Sequence, residues 1–289
     1  MPPSGDGNGF RTRYADDFAL LAEHGITHHR LTVEWARLEP SEGRWDENEV
    51  AHLRRVLEAG RDAGVAVWAC LLHGSAPGWF TDDQRGWLDE RAATLTWPRH
   101  VDRVAEALGD LVAGWVPIHE PDLAARLAYG ADVFPPGRRR EDDERDALAA
   151  LRVAEREAAR LLRTGGAPVA VTARPCEPRE AEDLLIVSAA ADELETPLEQ
   201  AADAFPDAGI VVVTGDPTNE GRVQRAADTV AAAHRDGMGV VGAFHLPAID
   251  GYEWHRGFDA RLGLFDRDRN PKETLGMLVP TVLRRSCGP

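Results

Sequence analysis

The sequence is almost without lysine. Lys272 is the single one in 289 residues, and the other basic side chains are arginines. Acidic residues outnumber basic ones 49 to 33, for a formal net charge of -16. Binding to nucleic acid depends on clustered lysine and arginine, so no nucleic-acid partner is expected. The acidic surplus speaks for solubility more than for function. Cysteine is also scarce. Cys70, Cys176 and Cys287 lie far apart and form no CxxC pair. That excludes a zinc ribbon and a disulfide framework, and a reducing, cytoplasmic setting is the simplest expectation. The opening MPPSGDGNGF has no apolar core, so no signal peptide is expected there. No run approaches the roughly 18 apolar residues of a membrane span, so no membrane partner is expected. No GxxxxGK[ST] motif occurs, which counts against a doubly wound nucleotide-binding sheet. No cofactor is expected.

What is present is an alternation. Hydrophobic residues make up 43% of the chain, enough for a folded core. Short apolar runs predict strands at 26–33, 65–72, 115–118, 169–172, 184–188, 210–214 and 239–245. The run at 210–214 is almost pure Ile and Val, as in a strand covered on both faces. Amphipathic stretches predict helices between them, among them 47–63, 100–111, 142–163, 198–204 and 224–235, with a last one at 275–283. Repeated βα units imply a parallel sheet, and seven or eight in one chain point to a (β/α)8 TIM barrel. No linker or low-complexity segment divides residues 1–289, so one domain is expected.

In barrels of this kind the chemistry sits at the C-terminal ends of the strands. The predicted strand ends carry Arg30 and Glu34, then His73, then His119 and Glu120. Arg174, His245, Asp250, Glu253 and Trp254 follow. Several polar groups with aromatic faces suit a sugar, whose hydroxyls need hydrogen bonds and whose ring needs a flat apolar surface. GWVPIHEPD (114–122) is the most pointed case, because a buried run stops at a carboxylate that a proline then locks in place. His73, His119 and Glu120 lack the HxxxH-type spacing of a metal site, so none is expected.

Several stretches together resemble the family 1 glycoside hydrolases, the β-glucosidase family. HRLTVEWARLEPSEGRWD is similar to the family's YRFSISWSRIxPxGxG, and CLLHGSAPGWF to its TLxHWDxPxWL. GWVPIHEPD resembles xWxTxNEP, and YGADVFPPG resembles YxxGxxPPG. GAFHLPAIDGYEWHRGFDARLGLF resembles GYFxWSLLDNFEWxxGYxxRFGL, and RNPKET resembles RxPKxS. The order of these fragments implies barrel strands 2 to 8, with the first strand missing or replaced. The resemblance implies chemistry by two carboxylates, one protonating the leaving oxygen and one attacking the anomeric carbon. It puts Glu120 at the acid/base position and His73 at a sugar-hydroxyl ligand. Glu253 and Trp254 fall on residues that contact distal hydroxyls and the ring face.

The sequence also departs from the family's pattern. Aligning Val213-Thr214 with the Ile-Thr of the nucleophile motif ITENG leaves Gly215 in the nucleophile's place, with Asp216 next and Glu220 further on. His119 replaces the family's Asn, Gly74 a Trp, and Leu246 another Trp. Three expectations follow. In the preferred one, the chain is an altered or repurposed enzyme. Glu120 and Asp216 would be catalytic in it, and Arg30, His73, His119, His245, Asp250, Glu253 and Trp254 would bind substrate. Asp250 and Glu253 are further candidates for a water-activating carboxylate. The second expectation is ordinary β-glycoside hydrolysis with a relocated carboxylate. The third is a non-catalytic ligand- or partner-binding protein. The expected partner is a small molecule, a glycoside being one candidate, and an oligomer stays open.

Overall fold

The computed structural model describes residues 7–83, 85–174, 180, 183–190, 193–215, 220–252 and 257–276. Among them the chain forms an α/β structure with seven strands, each within two residues of the span expected from sequence. Its contacts divide into two compact units, one of residues 29–62 and 66–172, the other built mainly from residues 7–28 and those after 172.

The first unit holds β1 (His28–Thr32), β2 (Ala66–Cys70), β3 (Gly114–Val116) and β4 (Ala170–Thr172). The sheet order is β1-β2-β3, and β3 runs parallel to β2 with Trp68 opposite Gly114 and Cys70 opposite Val116. A parallel bridge from Trp115 to Val169 brings in the edge of β4. Gly114 is there for room, since a Cβ on it would lie 2.5 Å from the Trp68 ring. The helix Glu47–Asp62 begins where Asp46 Oδ1 accepts from the amides of Asn48 (2.9 Å) and Glu49 (3.2 Å), as an N-cap does. Its buried face is Val50, Leu53, Val56, Leu57 and Gly60. The helix Glu141–Leu162 opens with four acidic residues, Glu141 to Glu144, favourably placed against the positive end of its dipole. Its Glu155, 1% exposed, accepts from the amide (3.0 Å) and hydroxyl (2.9 Å) of Thr172 at the end of β4.

An aromatic core fills this unit beside β1. Trp35 meets Trp79, Phe80 and Trp97 at ring-centroid distances of 5.5, 4.9 and 5.5 Å. His100, on the helix Trp97–Leu108, stacks on Trp35 at 4.6 Å. Glu39 ties the edge of the cluster, accepting from Trp35 Nε1 at 2.9 Å and from the Gly43 amide at 2.7 Å.

The second unit begins with the helix Phe10–Glu23, whose buried residues are Asp17, Phe18 and Leu21. Asp17 is paired: Arg269 donates to it through Nε (2.9 Å) and Nη2 (2.8 Å). Strands β5 (Leu184–Ser188), β6 (Ile210–Gly215) and β7 (Val240–Leu246) lie in that order and run parallel. Ile210 to Thr214 are all buried, as the Ile/Val run implied. The helix Glu220–Arg235 follows β6 and packs on β7, burying Val223, Ala226, Ala227 and Val230. Of the expected last helix, 275–283, only 275 and 276 lie in the described residues, where the chain is helical from 273 on.

Candidate active site

The site grows out of the ladder between β2 and β3. Past the regular strands the pairing continues, with Leu71 N donating to Val116 O (3.0 Å) and His119 N to Leu72 O (2.8 Å). Those bonds carry His73 and His119 to the same end of the sheet. The two rings meet edge to face, 4.4 Å between centroids. Arg30 comes from the middle of β1, 8% exposed. Its Nη2 donates to His73 Nδ1 at 3.2 Å and its Nη1 to Cys70 Sγ at 3.2 Å.

A guanidinium can only donate. His73 Nδ1 is therefore the acceptor, and the ring proton of neutral His73 sits on Nε2. The His73 side chain is exposed, yet burial, and then the Arg30 charge, push its pKa down to about 3. The same two causes, with His73 third, lower His119 to about 2. At neutral pH both imidazoles are uncharged. The 3.7 Å approach of His119 Nε2 to Glu120 Oε2 is then no ion pair. Burial pushes the Cys70 thiol up, so it keeps its proton and gives it to Leu72 O at 3.5 Å.

Glu120 is half-buried, its side chain 29% exposed. Its backbone is left-handed, φ 45° and ψ 62°, and Pro121 opens the short helix Pro121–Ala125 directly after it. Non-glycine residues adopt this conformation rarely and at a cost of roughly 1–2 kcal/mol. A residue before proline also avoids the right-handed helical region. The proline thus helps to hold the turn that the sequence singled out.

In the second unit, His245 on β7 shares a hydrogen bond of 3.2 Å with Leu262 O, which requires the proton on Nε2. Burial lowers its pKa in spite of that bond. Asp250, 4% exposed, accepts from the Gly263 amide and from Lys272 Nζ, both at 2.6 Å. Asp250 therefore ties together the loop that carries residues 257–265. Gly215 ends β6 opposite Leu246. Asp216, Glu253, Trp254, Cys176 and Cys287 lie outside the described residues. Among the described residues no group of three or more His, Cys, Asp or Glu is placed to hold a metal ion, and no helix is long and apolar enough to cross a membrane.

Sequence reasoning did not pick out Cys70 as part of the site. It stands at the end of β2, three positions before His73, and that spacing was the available signal. Its partner Arg30 lies 40 positions away, and neither stretch alone announces the contact.

Repeated parallel βα units with polar groups gathered at strand ends define an α/β protein of the barrel type. The chain belongs to glycosyl hydrolase family 1, whose model matches residues 7–199. That match includes Arg30, His73, His119 and Glu120 and stops short of Gly215. Among curated relatives, beta-glucosidase 1B of Phanerodontia chrysosporium is 30% identical over 129 residues, which is 44% of this chain and 24% of that protein. The cytosolic beta-glucosidase of Homo sapiens is 27% identical over 131 residues, 45% of this chain and 28% of that one. The matched stretch thus spans about a quarter of these relatives' length. Solved structures are similar over much more of the chain. The AHE enzyme of Alicyclobacillus herbarius superposes with a TM-score of 0.84 at 17% identity, covering 97% of this chain and 88% of that one. A family 1 β-glucosidase from Thermotoga maritima gives 0.83 at 13% identity, covering 96% and 86%. At such identities the likeness speaks for fold, and the fold is the expected TIM-barrel type.

Proposed function

We propose that this chain is a family 1 barrel that keeps one proton-transferring carboxylate, Glu120, and uses it in a reaction other than covalent double displacement. The observation that carries this reading is the backbone of Glu120. The chain accepts a left-handed conformation at a glutamate to hold a half-exposed carboxylate beside two neutral imidazoles. Arg85, Asp132 and Arg269 also have positive φ, but Glu120 is the one of the four that stands beside these rings, and local strain is a common mark of a functional site. His73, with its Nε2–H on the accessible side, suits a substrate hydroxyl. His119 places a neutral ring next to Glu120, where it neither attracts nor repels the carboxylate as a full charge would. Gly215 stands where alignment puts the family's nucleophile, and glycine cannot form a glycosyl ester. An inverting route would need a second carboxylate roughly 6.5–9.5 Å from Glu120 to activate water, and Asp216 is the candidate we favour.

The relatives' names favour a second reading, hydrolysis of β-glucosides by a relocated carboxylate. One experiment separates the two. Turnover of aryl β-glucosides and other glycosides is measured for the wild type and Glu120→Gln, alongside incubation with a mechanism-based fluorosugar. The proposal expects no covalent label and complete loss of any turnover in a variant that stays folded. Label on Asp216 or Glu220 favours the second reading. A folded and fully active Glu120→Gln removes Glu120 from the mechanism.

A further inference from the structure

Glu120 stands at the end of a chain of three contacts. Arg30 Nη2 donates to His73 Nδ1 at 3.2 Å. The His73 ring meets the His119 ring edge to face, 4.4 Å between centroids. His119 Nε2 lies 3.7 Å from Glu120 Oε2. All four residues belong to one compact unit. An imidazole so near a carboxylate ordinarily takes a proton and forms an ion pair, because an opposite charge within about 4–6 Å favours the charged form. His119 does the reverse, and its pKa falls to about 2. Burial is the first cause, the Arg30 charge the second and His73 the third. Burial penalises an imidazolium whatever stands beside it. The electrostatic part depends on which neighbour prevails. Among the described residues, the charged and titratable groups around the two rings are Arg30 from β1, Cys70 from β2 and Glu120 after β3. Cys70 keeps its proton, since burial pushes its thiol up. That leaves the guanidinium against the carboxylate. Arg30 is 8% and His119 5% exposed, so little water lies between them to weaken the repulsion. The Glu120 side chain is 29% exposed, and solvent screens its attraction. Arg30 is also charged at any ordinary pH. Its other nitrogen, Nη1, is anchored on Cys70 Sγ at 3.2 Å, so the charge is held in place.

We propose that Arg30 is a positioning residue for Glu120, acting through His73 and His119: its fixed charge keeps the His119 ring from taking a proton and closing an ion pair with the carboxylate. The inference rests on the functional reading above, in which Glu120 carries the proton. An ion pair would tie the carboxylate to His119 and oppose its protonation. Beside a neutral ring, Glu120 is available for both halves of a proton transfer. The same guanidinium fixes the His73 proton on Nε2, so one arginine sets the protonation of both rings.

The test is an NMR titration of the histidine ring signals of the full chain, from about pH 8 down to about pH 4. The proteins are the wild type, Arg30→Met, Arg30→Lys and the double variant Arg30→Met with Glu120→Gln. The His119 signals are assigned by their loss in His119→Asn. In the wild type they should not move over this range. In Arg30→Met the midpoint should rise by about two pH units or more, which brings the onset of protonation into view. Arg30→Lys keeps the charge on a smaller side chain and should leave His119 neutral, which separates charge from the room that a shorter side chain opens to water. In the double variant the rise should be lost, because its cause is the Glu120 carboxylate. Should Arg30→Met fail to fold, Arg30→Gln takes its place with the same outcomes, since its amide keeps an N–H donor without the charge. A wild-type His119 that titrates in this range overturns the proposal. So does one that stays silent without the Arg30 charge, one that titrates alike in Arg30→Met and Arg30→Lys, or one whose rise survives Glu120→Gln. The titration needs no turnover. A silent His119 in Arg30→Met, with turnover lost in Glu120→Gln, sinks this proposal alone. A responsive His119 with full activity in Glu120→Gln sinks the proton-transfer reading alone.

Discussion

Replacing His100 with phenylalanine should make the protein less sensitive to acid. His100 is 2% exposed, and neither ring nitrogen has a hydrogen-bond partner. Trp35 stacks on it at 4.6 Å, with Trp97 and Trp45 at 5.5 and 6.1 Å. An imidazolium there would have lost its water and gained nothing polar in return. Burial, with the neighbouring Arg99 charge second, accordingly lowers its pKa from 6.5 to about 3. Between those values the unfolded chain carries a proton at this position that the folded chain refuses. Stability is therefore complete above about pH 6.5 and falls as the pH drops toward 3. At pH 5 the gap from 6.5 corresponds to about 2 kcal/mol, at roughly 1.4 kcal/mol per pH step for one proton. Phenylalanine keeps the flat ring against Trp35 and has nothing to titrate. The assay is urea unfolding of both proteins at pH 7 and pH 5. His73 and His119 titrate in the same direction but are common to both, so the difference of differences isolates residue 100. The wild type should lose about 2 kcal/mol more than His100→Phe over that interval. Equal losses would show that the buried ring is protonated in the fold, or that it is not buried, and would refute the argument.

Asp17→Asn leaves the Arg269 guanidinium buried without its charge partner. Unfolding should show a loss of roughly 3–5 kcal/mol, and Asp17→Asn with Arg269→Met should recover part of it; a loss under about 1 kcal/mol would mean the pair is open to water. Gly114→Ala puts a methyl group 2.5 Å from the Trp68 ring. That overpacking should cost about 1–3 kcal/mol in a thermal or chemical melt, and a neutral result would show that Trp68 has another rotamer to occupy.

The fold was legible because its signals are periodic and redundant. Strands β2 to β7 are short apolar runs closed by glycine, proline or a polar residue, while β1 carries His28, His29 and Arg30. The β6 run of Ile and Val could hardly be anything but a covered strand. Helix starts were less legible. Residues 97–99 and 195–197 belong to helices, although the expected starts were at 100 and 198. Pro98 and Pro197 were the reason, since proline reads as a break yet is well tolerated in the first turn of a helix. The site was legible to the extent that it follows strand ends. His73, His119 and Glu120 could be named because each stands one to three residues past an apolar run. What joins them could not be read off. The tautomer of His73 is set by Arg30, 43 positions earlier, and no local pattern encodes it.

The same comparison shows why residue type alone is a poor guide to role in this chain. Asp250 and Glu120 were both candidates as carboxylates near strand ends. Asp250 accepts from an amide and an ammonium at 2.6 Å and is 4% exposed, so its charge is already spent on holding a loop. Glu120 is half-exposed, and its strained backbone aims the carboxylate. The two arginines divide in the same way: Arg269 is matched to Asp17, and Arg30 is matched to nothing charged among the described residues. Groups whose hydrogen bonds and charges are fully answered within the fold stabilise it. Arg30 and His119 each keep a buried polar atom without a partner at the end of the first sheet beside Glu120, but His100 keeps two in the aromatic core, so an unanswered group by itself does not mark the site.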